Sequence, residues 1–269
     1  MSSRKTAIVV VLIFIAFALV FSWLGKDNNS LSVQTESDAT PIVSIDPLTP
    51  AQAKILANLE KKLPILITIK QISPETFQSI ELAIHTYDPS NEKLTRQMYD
   101  QITGSSMKLV LERMPYASDD AVINFTLKMN EYLSNLLESD PSGKSCFYSL
   151  FPDLRDSTDM TLPEKNSENL VERLDATNEL LISSESGIQQ SILPIEEQTA
   201  ILKDIQQKVI KEYGNSVLLL GDLDKAKLQP ALTCQTMIYF YGQALEIPDN
   251  QQKAAFLRTL FSSSNNTNT

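Results

Sequence analysis

The stretch that decides the fold class is residues 118–139, SDDAVINFTLKMNEYLSNLLES. Its apolar residues recur every three or four positions, which is the spacing of one face of an α-helix. Ser118 and the two aspartates after it are typical of a helix start, where polar side chains accept hydrogen bonds from free backbone N–H groups. The apolar stripe consists of Val122, Phe125, Met129, Tyr132, Leu133, Leu136 and Leu137. The pattern therefore predicts a long amphipathic helix with one buried face.

Similar helical patterns continue through residues 49–261, for which we predict an all-α domain, an irregular bundle of many helices. Thr49-Pro50 and Ser73-Pro74 each place a capping residue before a proline at the first helical position. Only 7 of the 269 residues are glycine, fewer than sheets and phosphate-binding α/β folds usually need for their turns. Residues 65–72, ILITIKQI, alternate like a strand, but they fit a buried helical turn equally well.

Polar stretches predict the segments that lie outside the helices. Residues 25–48 have no helical periodicity and indicate a flexible linker. Residues 152–169 form the longest polar interruption within the domain, and they mark either a boundary between two helical subdomains or a long surface loop. Residues 262–269 are polar and low in complexity, so we expect a disordered tail.

The beginning of the chain predicts where the protein resides. Residues 7–24, AIVVVLIFIAFALVFSWL, would span about 27 Å as a helix, close to the thickness of a bilayer core. Arg4 and Lys5 precede this run, and basic residues keep their end of an anchor in the cytoplasm. We therefore predict a single-pass transmembrane signal-anchor with residues 1–6 in the cytoplasm. The alternative is a cleaved signal peptide, since Ala16-Phe17-Ala18 has the form of a cleavage site.

Charge and compartment together limit the partners. The net charge is −10, and an acidic surface repels phosphate backbones, so nucleic-acid binding is not expected. We predict that residues 25–269 lie in the periplasm of a Gram-negative bacterium, tethered to the inner membrane. ATP should be absent from that compartment, so we expect no nucleotide ligand either.

The chain has two cysteines, Cys146 and Cys234, which we expect to be joined because an exported protein meets an oxidising environment. A bond between them would close a loop of 88 residues. In the chain-entropy model, a loop of that size stabilises the folded state by about 4.5 kcal/mol. The alternative is a pair of buried free thiols.

Aromatic residues follow each cysteine at short distance. The first group is Phe147, Tyr148 and Phe151, and the second is Tyr239, Phe240 and Tyr241. If the disulfide forms, the two segments should lie side by side. They constitute either the core of the domain or a surface for a partner, since aromatic residues are enriched in both places.

Short motifs for catalysis are present but incomplete. Ser142-Gly143-Lys144-Ser145 resembles the end of a phosphate-binding loop, without the preceding glycine or strand. Ser105-Ser106-Met107-Lys108 matches one element of penicillin-interacting serine enzymes and lacks the lysine-threonine-glycine element. The single histidine, His85, rules out multi-histidine metal sites. Acidic pairs occur at helix starts or in a turn, namely Asp119/Asp120, Glu196/Glu197 and Asp222/Asp224. We expect no cofactor and no metal.

The function that the sequence favours is non-enzymatic: a scaffold or accessory protein of an envelope complex for secretion or cell-wall assembly. One alternative is an envelope hydrolase that uses paired carboxylates, which a polar cleft with two converging acids would indicate. The other is a carrier of lipid or another apolar ligand, which an enclosed apolar pocket would indicate.

Overall fold

The structure is a computed structural model that describes residues 47–88, 90–155 and 168–262. Within these ranges the chain is helical and contains no strand, which confirms the all-α prediction. The predicted anchor at 7–24, nearly all of the linker at 25–48 and the tail after residue 262 lie outside the described residues. Within the described ranges, no helix is both long enough and apolar enough to cross a membrane.

The described residues form two compact units, residues 47–109 and residues 110–262. The N-terminal unit contains α1 (Pro50–Lys62), α2 (Ile65–Ile72), α3 (Pro74–His85) and most of α4 (Glu92–Arg113). The strand-like sequence 65–72 is the helix α2, which buries Ile65, Leu66, Thr68 and Ile69. Helix α4 passes Gly104 without a break, because a single glycine costs a helix only about 1 kcal/mol.

The predicted caps of this unit differ in their bonding. Thr49 and Gln52 form a capping box, in which the Gln52 backbone N–H donates to Thr49 Oγ1 at 3.4 Å and the Thr49 N–H donates to Gln52 Oε1 at 3.0 Å. Ser73 precedes α3 but makes no side-chain cap bond; its hydroxyl donates to the side chain of Thr76 at 2.7 Å. His85 ends α3 half-buried, in line with a structural role.

Within its described residues, the C-terminal unit begins with the end of α4 and a short 3₁₀ turn at Met114–Tyr116. It continues with seven α-helices, interrupted by further 3₁₀ turns at Pro152–Leu154 and Gly214–Gly221. Its α-helices are α5 (Asp119–Ser139), α6 (Lys144–Leu150), α7 (Glu168–Ser183), α8 (Ile195–Tyr213), α9 (Leu223–Leu228), α10 (Pro230–Leu245) and α11 (Asn250–Ser262). The helices before and after the polar stretch 152–169 pack within this one unit.

Helix α5 lies at the centre of the C-terminal unit and packs against α6, α7, α10 and α11. Its first turn is capped as predicted, because Ser118 Oγ accepts a hydrogen bond from the Ala121 N–H at 3.4 Å. The predicted apolar stripe faces the core, with Val122, Phe125 and Leu133 almost fully buried. Burial of one such side chain stabilises the fold by about 1.5–3 kcal/mol.

The helical pattern of residues 225–247 predicts one helix near these bounds, but the structure has two, α9 and α10. The chain breaks at Gln229, whose backbone has φ −133° and ψ 56°, so that α9 ends and α10 begins. Pro230 explains the break, because proline has no N–H to continue a helix and disfavours helical geometry in the residue before it. Because of the break, α10 begins as a separate helix, and its first turn lies close to the beginning of α6.

Candidate functional site

The most specific prediction, the bond between Cys146 and Cys234, is confirmed. The disulfide joins α6 to α10, with the two Cα atoms 6.2 Å apart, and both cysteines are fully buried. It lies in an apolar cluster to which α5 contributes Tyr132, Leu133 and Leu136. We refer to these residues and their neighbours as the disulfide cluster.

The turn before α6 explains how the helix comes so near to α10. Gly143 has φ +74°, and a Cβ atom at this position would overlap the backbone of Ala231 in the first turn of α10. Glycine is therefore required both by the backbone conformation and by the close approach of the two helices. The sequence 142–145, which resembles a phosphate-binding loop, is this packed turn.

Asp140 fixes the same turn by hydrogen bonds. Its carboxylate accepts from the Ser142 N–H at 3.1 Å, the Ser142 hydroxyl at 2.6 Å and the Ser145 N–H at 2.8 Å. Partial burial opposes ionisation of Asp140, but these hydrogen bonds outweigh it and lower the pKa of the carboxyl group. The serines of the motif therefore bind a carboxylate of the chain itself.

The first aromatic group belongs to the core. Phe147, Tyr148 and Phe151 are all buried members of the disulfide cluster. The Phe147 ring lies 5.5 Å from Tyr148 and 5.0 Å from Phe151, measured between centroids. Of the two roles that the sequence left open for these residues, core packing is the one that the structure displays.

The second aromatic group has a different environment. Phe240 and Tyr241 are buried, and Tyr241 stacks on Phe261 of α11 with the centroids 6.0 Å apart. Tyr239 is only half-buried and lies edge-to-face against Tyr213 at 5.4 Å. Burial raises the pKa of the Tyr241 hydroxyl, as expected for a phenol inside a core.

A buried ion pair that the sequence analysis missed connects distant parts of this unit. Among the residues whose burial is described, Arg258 of α11 is the largest fully buried side chain. Its Nη2 donates to Asp119 Oδ1 at 2.6 Å and to the Ala117 carbonyl at 2.7 Å. Its Nη1 donates to the Ser191 carbonyl at 3.4 Å. Asp119 therefore has a charged partner, Arg258, in addition to the helix start that the sequence indicated for it.

Asp222, another of the paired acids, caps α9 by accepting a hydrogen bond from the Lys225 N–H at 3.1 Å.

The connector between α7 and α8, residues 184–194, presents apolar side chains to solvent. Ile188, Ile192 and the adjacent Ile195 are 66%, 55% and 60% exposed. The connector is nevertheless held in place, because the Gln190 N–H donates to the Pro115 carbonyl at 2.9 Å and Arg258 bonds to Ser191. We call residues 188–195 the isoleucine segment. No short motif marks it in the sequence.

One cleft of about 300 Å³ lies where α8 meets the end of α10 and the start of α11. Its lining is mixed, with apolar contributions from Ile201, Ile205 and Ile247. Two carboxylates, Asp204 and Glu246, also line it, and Asp204 pairs with Lys208 at 3.2 Å. The volume is at the lower end of the range for ligand sites.

Metal ligands do not converge in the part of the chain that the structure describes, where no group of three histidine, cysteine, aspartate or glutamate residues could hold an ion. Comparison with known proteins returns no relative: no family model, no curated protein and no solved structure matches this chain.

Proposed function

We propose that this protein is a membrane-anchored periplasmic scaffold or accessory protein of a bacterial envelope complex, and that it binds a protein partner through the isoleucine segment. The exposure of Ile188, Ile192 and Ile195 is the observation that carries the proposal. Covering the part of one such side chain that is still exposed is favourable by about 1–2 kcal/mol, so three on one segment offer a substantial driving force for association. The apolar run at residues 7–24 supports the anchor.

The way the segment is held also favours a binding role. Its backbone is fixed by the bond from Gln190 to Pro115 and by the buried Arg258. An interface that is ordered before association loses less conformational entropy when the partner binds. Exposed isoleucines on a fixed connector are therefore better suited to recognition than the same residues on a flexible chain.

Site-specific photo-crosslinking in intact envelopes tests the proposal. A photoreactive residue at the exposed position Gln189 should yield one dominant crosslinked partner. The double variant Ile188→Asp with Ile192→Asp should lose that product and keep the unfolding temperature of the original chain, because both side chains point into solvent.

Leu228 provides the matched control, since it is an apolar residue with 81% exposure that lies outside the segment. Leu228→Asp should leave the crosslinked product unchanged. A product that is equally abundant in the Ile188→Asp/Ile192→Asp variant, or the absence of any product, would contradict the assignment of this surface.

The cleft between α8 and α10 is the place to test the two alternative functions. It contains two carboxylates, as a hydrolase needs, and isoleucine side chains, as an apolar-ligand carrier needs. Asp204→Asn and Glu246→Gln should abolish any hydrolytic activity on envelope polymers if the first alternative holds. Ile201→Asp should abolish binding of a fluorescent fatty acid if the second holds.

A further inference from the structure

The start of the N-terminal unit is basic, although the chain as a whole is acidic. Residues 47–74 contain four lysines and a single acid, Glu60, whereas the net charge of the whole chain is −10. Three of these lysines, Lys54, Lys61 and Lys62, are exposed on α1. Within the residues that the structure describes, none of the three forms an ion pair. The end of α1 is therefore a positively charged surface.

Helix α2 adds an exposed apolar residue next to these lysines. One side of α2 is buried in the core of the unit, so its other side has a fixed orientation. That outer side presents Pro64, Ile67 and Gln71, which recur at intervals of three and four residues. Ile67 is 47% exposed, and its N–H donates to the Pro64 carbonyl at 3.0 Å. The isoleucine therefore lies within one helical turn of the residues that follow α1.

Lys70 links the ends of the two helices. Its ammonium group lies 3.8 Å from the carboxylate of Glu60 and 4.8 Å from the centroid of the Phe77 ring. Because Glu60 directly precedes Lys61, this ion pair brings the last turns of α1 and α2 together. Lys70 keeps 58% of its side-chain exposure, so its ammonium still has donors that face solvent. We refer to the exposed side chains at the two helix ends as the basic face: Lys61, Lys62, Ile67 and Lys70.

Another exposed apolar residue of the same unit has the opposite surroundings. Leu82 of α3 is 45% exposed, about as much as Ile67. Residues 71–92, which include Leu82, contain four acids and neither lysine nor arginine. Positive charge and exposed apolar surface therefore coincide at the basic face, whereas the sequence around Leu82 is acidic.

The length of the preceding chain places this unit near a membrane if residues 7–24 are the predicted anchor. Only the 22 residues 25–46 separate that apolar run from Pro47. A chain of this length spans about 25 Å on average and about 75 Å when fully extended. A surface tethered so closely meets the lipid headgroups at a high effective concentration. Contacts that are too weak to recruit a free protein can therefore hold it there.

Lysine and isoleucine side chains on one surface suit an anionic lipid surface. Ammonium groups attract the phosphate groups of lipids such as phosphatidylglycerol, and an apolar side chain enters the boundary between headgroups and acyl chains. The net charge of −10 does not oppose this contact, because at physiological ionic strength charges are screened beyond about 8 Å. The local charge of the basic face therefore determines how it interacts with lipid.

We propose that the basic face lies on the anionic phospholipid headgroups of the membrane that holds the anchor. The inference rests on the anchor of the proposed function. It goes beyond that function because it assigns a second membrane contact, in the N-terminal unit, that is separate from the isoleucine segment. The isoleucine segment, which belongs to the C-terminal unit, stays available for the protein partner.

Fluorescence of the full chain, reconstituted into vesicles through its N-terminal run, tests the basic face. A nitrobenzoxadiazole probe on Gln71→Cys reports beside the face, and the same probe on Gln78→Cys of α3 is the control, since both glutamines are exposed. The two native cysteines are buried in a disulfide and do not react. In vesicles of equal parts phosphatidylcholine and phosphatidylglycerol, emission from position 71 should shift to the blue relative to pure phosphatidylcholine. Salt at about 1 M should reverse the shift.

Variants of the basic face separate its charge from its apolar residue. Lys61→Gln with Lys62→Gln should lower the equilibrium constant for lipid contact about fivefold per lysine. Both lysines are exposed, so the unfolding temperature should not change. Ile67→Asp should abolish the shift, whereas Leu82→Asp, the matched control of similar exposure, should leave it unchanged.

Several results would overturn the lipid contact. They are equal emission in the two kinds of vesicle, a blue shift that survives the loss of both lysines, and an equal shift of the probe on Gln78→Cys. A lower crosslink yield from Gln189 in the double lysine variant, without any effect in vesicles, would assign the basic face to a protein partner instead.

Flotation of the vesicles distinguishes a failure of the anchor from a failure of the basic face. If the chain floats with pure phosphatidylcholine vesicles, the anchor holds and the probe decides on the face. If the chain does not float, the anchor is wrong, and the labelled chain is then added to preformed anionic vesicles. A blue shift in that experiment supports the basic face, and an unchanged spectrum overturns it.

Discussion

Nη2 of Arg258 donates to Oδ1 of Asp119 at 2.6 Å, although the two residues are 139 positions apart in the chain. The arginine is fully buried, and the aspartate keeps 34% of its side-chain exposure. Because the same guanidinium also bonds to the carbonyls of Ala117 and Ser191, one cation fixes the start of α5, the connector 184–194 and the final helix. Replacement of Arg258 should therefore destabilise all three segments.

Asp119→Ala should lower the free energy of unfolding by about 3 kcal/mol, because it leaves the Arg258 guanidinium buried without its counter-charge. Asp120→Ala is the matched control: it removes an exposed carboxylate from the same helix turn and should cost about 0.5 kcal/mol. Denaturant unfolding measures both. Equal losses in the two variants would show that the ion pair adds nothing beyond the helix dipole.

Replacement of both cysteines, Cys146→Ala with Cys234→Ala, should destabilise the chain by about 4.5 kcal/mol through the entropy of an open 88-residue loop. Unfolding curves with and without reductant measure the effect. Oxidised chains should also migrate faster than reduced ones on a denaturing gel. Unchanged mobility together with complete thiol labelling would contradict the bond.

Gly143→Ala should destabilise the C-terminal unit by about 2–4 kcal/mol, since the new methyl group meets both a positive φ and the Ala231 backbone. Gly187→Ala provides the control. It has a similar φ of +64° with no atom near its Cβ position, and it should cost about 1 kcal/mol. The difference between the two variants in unfolding free energy measures the close approach of α6 and α10. Equal losses in the two variants would mean that α6 and α10 can move apart to accept the methyl group without a cost in stability.

The Asp140 carboxyl should titrate below its ordinary pKa of 3.8, because hydrogen bonds from Ser142 and Ser145 outweigh the effect of partial burial. A lowered pKa in the folded state means that Asp140 stabilises the fold above pH 3.8 and loses this contribution as the pH falls through the lowered value. Ser142→Ala should raise the pKa toward 3.8, measured by ¹³C NMR of the carboxyl carbon. An unchanged midpoint in that variant would show that the Ser142 hydroxyl does not act on Asp140.

Local chemistry made much of this fold predictable. The cap at Ser118, the apolar stripe of α5 and the capping box at Thr49 are signals within a few residues, and the structure contains each of them. The cysteine pair was predictable because only one pairing exists. Pro230 could in principle have predicted the helix break at Gln229, but the apolar pattern continues on both sides of the proline and favoured a single helix.

Contacts between distant segments were not predictable in the same way. Arg258 lies in a helix of mixed polarity, and nothing near it in sequence indicates that it reaches Asp119. Likewise, the exposure of Ile188 and Ile192 depends on how α7 and α8 pack, whereas the composition of the segment alone suggests burial.

The bond between Cys146 and Cys234 has a consequence for a chain exposed to proteases. Any single cleavage among the 88 peptide bonds between the two cysteines leaves the two pieces covalently joined. Both α5, which precedes this interval, and α11, which follows it, would stay attached to one molecule after such a cut. Cleavage between the cysteines should therefore give two bands on a reducing gel, whereas no fragment should be released while the disulfide is intact.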